Sequence, residues 1–488
     1  MAKRMTVCAL GATSAVILSG CSSPFDATNT SPKNITRLTT PEGLTPSISV
    51  YRQEEGESND AVSSPLLEST PESYLSYALY HNPDIERAYQ QWRAASERLP
   101  QVSSMPDPRL KVGFFLNEVE TRVGPQQARV GIQQSFPWIG KLRDRKDAAA
   151  KGALAAWYIY QNAQLQVAEQ LMSNLHELSY LDSTIEVTDE NYKLLQSFEE
   201  VIRARYRVGV GSHPELIRVQ VELGLLEDRV IQLRALRPSY VARVNAVLNR
   251  KPNVEIEAGL VLPNHFATLS AEELTEIAQD WSPVLQSIEQ QVEQQRILSD
   301  VARKNGYPDL TIGIDYIVTD EAMNPTIPES GDDPILVSFG INLPIWREKY
   351  DAGVRETIAR RLSISRELDA KNNSIDSQVY QAWFEHTDAD RRVRLYEHSL
   401  IPKAQESLSA SLAGFRTGDS EFLDLLDTER TLLEFSIAAE RARADRGKGL
   451  AKLNRLVGRA IPTTIDATQD ESISNQPGHP NTDEVQHP

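Results

Sequence analysis

Cysteine is almost missing from this chain: the 488 residues include two, Cys8 and Cys21, and both fall within the first 21. The body of the protein therefore has neither a disulfide framework nor a cysteine metal site. The eight histidines are scattered, so no resident metal or cofactor is expected. Aromatic residues make up only 7%, glycine and proline are modest at 24 and 27, and 40% hydrophobic stands against 24% charged. That balance describes a folded, helix-rich protein. Positive charge is also short, with 51 Lys and Arg against 68 Asp and Glu and a net charge of −17. A nucleic-acid partner is excluded on that ground, because phosphate recognition needs a basic footprint.

The longest apolar stretch is itself brief. Lys3 and Arg4 precede a run of small and apolar residues from Val7 to Leu18, the basic and hydrophobic regions of a secretory signal. A dozen residues fall short of the roughly 20 that span a bilayer as a helix. The run closes in Leu18-Ser19-Gly20-Cys21, which resembles a bacterial lipobox, so residues 1–20 are expected to be removed and Cys21 to be lipidated. Ser22 stands where an inner-membrane retention signal would have Asp, which favours the outer membrane. Several acyl chains, at about 0.8 kcal/mol per buried CH₂, anchor firmly. Residues 22 to 50 hold 11 Ser or Thr and 4 Pro. Segment 21–70 is therefore expected to be a flexible linker, and 460–488 a disordered polar tail.

What remains is one plan written twice. Asn82-Pro83 with Ile85 returns as Ser282-Pro283 with Leu285. Pro106-Asp107 ahead of Leu110-Lys111-Val112-Gly113 returns as Pro308-Asp309 ahead of Leu310-Thr311-Ile312-Gly313. Phe136-Pro137-Trp138 returns as Leu343-Pro344-Ile345-Trp346, Arg205-Tyr206-Arg207-Val208-Gly209 as Gly414-Phe415-Arg416-Thr417-Gly418, and Asn245 to Arg250 as Asn454 to Arg459. Ordered matches of this kind mark a duplication. The halves run from 71 to 250 and from 270 to 459, with 251–269 as a linker.

Each half switches hydrophobic period at matching places. Alternation at period 2 predicts strands at about 109–116 and 129–136 in the first half, and at about 310–317 and 335–343 in the second. One face of each is apolar and the other small or polar, the dyad pattern of transmembrane barrel strands. From Trp138 to Val208 there is no proline, and Leu165, Ala168, Met172, Leu175 and Leu178 keep an apolar seam. About 70 residues at 1.5 Å each predict a helix of roughly 100 Å, long enough to suggest coiled-coil packing. The equivalent run from Arg347 towards Phe415 meets only Pro402, where a local bend or break is expected. Return helices are expected at about 213 to 249 and 421 to 457, with an irregularity at Pro238. Opening helices are expected at about 71 to 99 and 271 to 304.

Four strands cannot close a barrel in lipid, where an open edge is intolerable. Two copies would give 8 strands and a filled interior; three would give 12 and room for a lumen.

With its lipobox, duplicated hairpin and long-helix halves, and paired turns Tyr206-Arg207-Val208-Gly209 and Phe415-Arg416-Thr417-Gly418, the chain resembles the TolC-like outer membrane factor family over about residues 70 to 460. That resemblance implies a mainly α protein with a membrane β-barrel: a homotrimer whose 12-stranded barrel continues into a periplasmic α-helical barrel. It also implies a non-enzymatic efflux channel with a periplasmic adaptor (membrane fusion) protein and an inner-membrane efflux pump as partners. The adaptor-docking tips would be Val208, Gly209, Val210, Gly211 and Ser212, and Thr417, Gly418, Asp419 and Ser420. Asp424 and Asp427, three apart on one helix face, match the family's aspartates at the channel constriction. Threefold symmetry would set six carboxylates around one axis, a field that favours cations. The first half has Ile217 and Gln220 there instead. Phe415 and Ser420 occupy the places of the family's gate-bridging tyrosine and arginine, which leaves the closed-state lock unassigned, with Arg416 a candidate substitute. A polypeptide exit duct would share this architecture, whereas a non-conducting helical tether would not need the strands.

Overall fold

The computed structural model describes residues 70–263, 265–324 and 326–465. The signal segment, Cys21 with its lipidation, the linker up to residue 69 and the tail from 466 onward lie outside the described residues. Among those described, no helix is long and apolar enough to cross a membrane.

The first half opens with α1 (Pro71–His81), α2 (Pro83–Ser96) and the short α3 (Arg98–Ser103). Strands β1 (Arg109–Thr121) and β2 (Gly124–Phe136) follow, then α4 (Lys141–Arg207) and α5 (His213–Val247). The second half repeats this order with α6 (Ala271–Trp281), α7 (Pro283–Lys304), β4 (Leu310–Thr319), β5 (Ile335–Ile341), α8 (Arg347–Leu395), α9 (Ile401–Thr417) and α10 (Phe422–Val457). A three-residue strand β3 (His265–Ala267) pairs antiparallel with β6 (Thr463–Ile465).

Several expectations need correction. Neither opening helix is continuous. Proline takes the first position of α2 and of α7, and the preceding Asn82 and Ser282 are forced to extended backbone with ψ of 126° and 116°, as the pre-proline clash requires. Pro238, by contrast, sits inside an unbroken α5. Pro402 does perturb its helix, through a π-helical turn over Tyr396–Leu400 that separates α8 from α9. A π turn moves the i−4 carbonyl that a proline ring would strike, so the helix continues with one bond lost. The first hairpin is longer than its alternating residues: β1 and β2 have 13 residues each and meet at a two-residue turn. Past a register shift between Phe114 and Val119 the two strands pair again up to the turn, where the Thr121 hydroxyl donates to the Gly124 carbonyl at 2.6 Å. Strand β5 ends at Ile341, two residues early. The polar tail is not wholly irregular either, since the β-branched Thr463, Thr464 and Ile465 form β6.

Burial falls into three clusters. One joins Tyr74 and Ala78 of α1 to Val167, Leu171, Leu175 and Leu178 of α4 and to Val241, Val244 and Val247 of α5. Its counterpart in the second half joins α6 through Leu274 and Ala278 to Ile375, Val379 and Ala382 of α8 and to Leu453, Leu456 and Val457 of α10. The duplicated asparagines serve equivalent ends. Asn245 donates to the carbonyl of Val254 at 2.7 Å, and Asn454 accepts from the amide of Ile461 at 2.9 Å, each tying down the chain that leaves a return helix. The third cluster unites both halves near the interhelical turns, with Leu195, Phe198 and Ile202 of α4, Val219 and Leu226 of α5, Leu408 and Phe415 of α9, and Phe422, Leu425 and Leu426 of α10.

Candidate channel wall and aperture

The four long strands form one antiparallel sheet in the order β1-β2-β4-β5. Register aligns the apolar residues across it: Leu110 faces Ile132, which faces Ile314, which faces Val337, while the next row runs Val112, Val130, Tyr316 and Ile335. This face is bare. Leu116 is 97% exposed and Phe339 73%, and Phe114, Val337 and Ile341 are also open. A contiguous apolar face of this size has no place in water and is what a lipid-facing wall presents. The opposite face carries Gly131, Gly313 and Gly340 beside polar groups. Asp315 accepts from Arg129 at 2.7 Å and its carboxylate occupies the space over Gly131, where a Cβ would collide with it. Among the described residues neither β1 nor β5 has a partner on its outer edge.

The second Pro-Asp motif bolts the sheet to the helices. Asp309 accepts from the Trp138 amide at 2.8 Å and from the buried Lys141 ammonium at 2.7 Å. Burial works to raise the Asp309 carboxyl, but these two donors hold it below its usual range. Lys304 reaches Asp144 at 2.5 Å, and Trp138 stacks on Tyr307 with ring centroids 5.1 Å apart. The exit of β2 and the entry to β4 are thereby fixed together.

At the other end of α4 and α9 lie the two turns. Gly209 and Gly418 have φ of 78° and 90°, the left-handed backbone that ends a helix at least cost on glycine. In the first turn the amides of Val210 and Gly211 both donate to the Arg205 carbonyl, at 3.0 and 3.1 Å, and Ser212 caps α5 in a reciprocal pair with Glu215. Val208 and Val210 project into solvent. In the second turn the amides of Gly418 and Asp419 both donate to the Gly414 carbonyl at 2.8 Å, Thr417 donates to Asp419 at 2.7 Å, and Ser420 donates to the Ser411 carbonyl at 3.0 Å. All nine tip residues named from sequence thus lie in or beside the two turns.

Asp424 and Asp427 are both exposed, on the side of α10 away from the buried Phe422, Leu425 and Leu426. Asp424 also accepts from the Glu421 amide at 3.4 Å, closing the first turn of α10. Phe415, by contrast, is buried, 5.9 Å from the Phe422 ring. Arg205 of the first turn lies over its ring at 4.3 Å and donates to its carbonyl. Arg205 thus joins the two tips, whereas Arg416 is exposed.

Sequence reasoning also missed the charged pair that ties α5 to α10. Glu222, buried, accepts a two-pronged bond from Arg430 through Nε at 3.0 Å and through Nη2. Beside it Glu429 is only 1% exposed, and neither of its carboxylate oxygens has a hydrogen-bond partner. The spacing Phe422, Leu425, Leu426, Glu429 already put that carboxyl on the apolar face of α10.

A lipid-facing sheet with open edges, carried on helices of about 100 Å that end in glycine turns, defines the protomer of an outer membrane channel. The chain belongs to the Outer membrane efflux protein family, which it matches over residues 74–250 and 274–459, one block in each half. It is similar to the cobalt-zinc-cadmium resistance protein CzcC of Cupriavidus metallidurans, at 22% identity over 434 residues covering 85% of this chain and 97% of that one. It is also similar to the outer membrane protein TolC of Vibrio cholerae, at 25% identity over 273 residues, 53% of this chain and 60% of the relative. Among solved structures, CusC has a TM-score of 0.67 at 15% identity, covering 86% of this chain and 99% of its own. The open state of the Neisseria gonorrhoeae MtrE channel has 0.65 at 16% identity, covering 86% and 98%.

Proposed function

We propose that three copies of this chain form the passive outer membrane exit duct of a tripartite efflux system. The observation that carries this reading is the sheet, apolar on its outward face and unpaired at both edges. Backbone groups at such edges cost several kcal/mol each in lipid unless another chain satisfies them, and twelve strands leave a water-filled lumen. The turns around Gly209 and Gly418 dock a periplasmic adaptor, and an inner-membrane pump supplies the energy. The reaction is transport: no bond is made or broken, and the family is one of channels.

In this reading Asp424 and Asp427 line the aperture and bias it towards cations. Arg205 holds it narrow by fastening the first hairpin to the second. CzcC is named for cobalt, zinc and cadmium resistance, and an acidic aperture suits such cargo, so divalent transition-metal ions are the substrate to test first. Purified protein in planar bilayers is expected to form ohmic pores. A well-folded preparation that inserts without conducting would overturn the duct, leaving a tether. Cysteines placed at Val210 and Thr417 are expected to cross-link to the adaptor in cells, and cross-linking only from positions in the sheet would remove the docking assignment.

A further inference from the structure

We propose that Glu429 is a proton-operated wedge between the hairpins, seated as the neutral acid when the tips are packed and driven out when it ionises, so that the aperture loosens as pH rises. The proposal rests on the duct reading above. It starts from an unusual placement: a buried carboxyl on the face of α10 that also gives Leu425 and Leu426 to the cluster joining α4, α5, α9 and α10. Glu429 is 1% exposed, follows Leu425 and Leu426 on the same face of α10, and has no partner on either oxygen. A carboxylate left so would bear its full desolvation cost.

Its surroundings do not supply a countercharge. From α4 comes Asn191, buried, whose own Oδ1 also has no partner. From α5 comes Glu222, a like charge. Arg430 on α10 is the cation within reach, and both prongs of its guanidinium are spent on Glu222. The buried residues of α9 are Ala404, Leu408 and Phe415, all uncharged. Burial pushes the Glu429 carboxyl up to about 7; the Asn191 side chain, near enough to favour the charged form by hydrogen bonding though without a well-formed bond, opposes the rise, Glu222 adds to it and Arg430 opposes it. Protonated, the acid gains an O–H donor for the orphaned Asn191 oxygen; ionised, it offers only acceptors. The packed arrangement therefore holds the proton more tightly than an opened one whose carboxyl is in water. Linkage then makes the packed state strongest below the ordinary glutamate value near 4.5 and weakest above about 7. Phe415, the ring under Arg205, belongs to that cluster, so loosening α10 also loosens the tie between the tips.

The test compares wild type with Glu429→Gln, a neutral isostere, in detergent and in planar bilayers between pH 5.5 and 8. Deuterium exchange in 422–433, corrected for its intrinsic pH dependence, is expected to lose about tenfold protection in wild type as pH rises and to stay protected in E429Q. Single-pore conductance is expected to rise over the same interval in wild type alone. Asn191→Asp, which adds a second carboxyl, is expected to move the wild-type midpoint upward. An equal loss of protection in E429Q and wild type overturns the proposal. Exchange needs no conduction, so pores absent at every pH would count against the duct while the exchange result still decides the role of Glu429.

Discussion

Arg205 is one tie between the two tips, beside the shared apolar cluster and the Glu222–Arg430 pair. Arg205 combines a cation–π contact, about 0.5 to 1 kcal/mol at a partly exposed site, with a charged hydrogen bond worth about 1.5 to 3 kcal/mol. Arg205→Ala is therefore expected to release about 2 to 4 kcal/mol per protomer and to raise single-pore conductance. Arg205→Lys is expected to recover only part of this, because an ammonium does not stack on the ring as a guanidinium does. Unchanged currents in both variants would remove Arg205 from the gate. The aspartates are expected to behave differently. Replacing Asp424 and Asp427 by Ala removes charge without touching the buried face of α10, so cation over anion permeability, measured from reversal potentials in a salt gradient, should fall roughly severalfold. Asp424→Asn keeps an acceptor for the Glu421 amide and separates loss of charge from loss of the cap. An unaltered reversal potential in the double variant would place the selective charge elsewhere.

Between elements, close approach of α4 and α10 is set by a histidine on a glycine. A Cβ at Gly447 would overlap the ring of His176, so Gly447→Ala is expected to destabilise the bundle by about 1 to 3 kcal/mol through overpacking. Burial drives the His176 ring down to about 4, with Lys448 and Arg446 adding to the fall and Glu177 opposing it. Its folded value lies below the ordinary 6.5, so its contribution is complete above 6.5 and is lost as pH falls towards 4. Thermal melts of wild type and His176→Gln should diverge over that window, by on the order of 3 kcal/mol at its acid end. Parallel curves would mean that the ring is not buried as a neutral group. The strands could be read from sequence because lipid on one side and a lumen on the other impose strict alternation. Where the first hairpin leaves that zone, around Asn117 and Gln126, alternation stops while backbone pairing continues, and sequence pattern ran out. The long helices and their glycine turns were equally legible. Arg205 and Glu429 were not: one acts across 210 residues of chain, and the other looks like surface charge until its spacing from Leu425 and Leu426 is counted.

For the whole molecule the constraint is closure. Four strands leave the outer edges of β1 and β5 unpaired, and joining β1 of one copy to β5 of the next is a heterologous contact that must close as a ring or run on as a filament. A wide lumen and the family's trimeric assembly both require three copies. Purified protein in detergent is therefore expected to have the mass of three chains by light scattering, after subtraction of bound detergent, and to change mobility on a gel when heated. A stable monomer would contradict the edge argument at its root. The lipid-facing row supplies an independent check. Val337→Arg puts a charge in the row formed by Leu110, Ile132 and Ile314, which should cost about 2 to 4 kcal/mol per protomer near the bilayer midplane and far less near the interface. Ser338→Arg, one residue along, points to the opposite face and pairs with Gly313. The first variant should lower the yield of heat-modifiable trimer, whereas the second should leave assembly intact and reduce conductance. Equal losses of trimer from both would mean that the two faces of the sheet are not lipid and water.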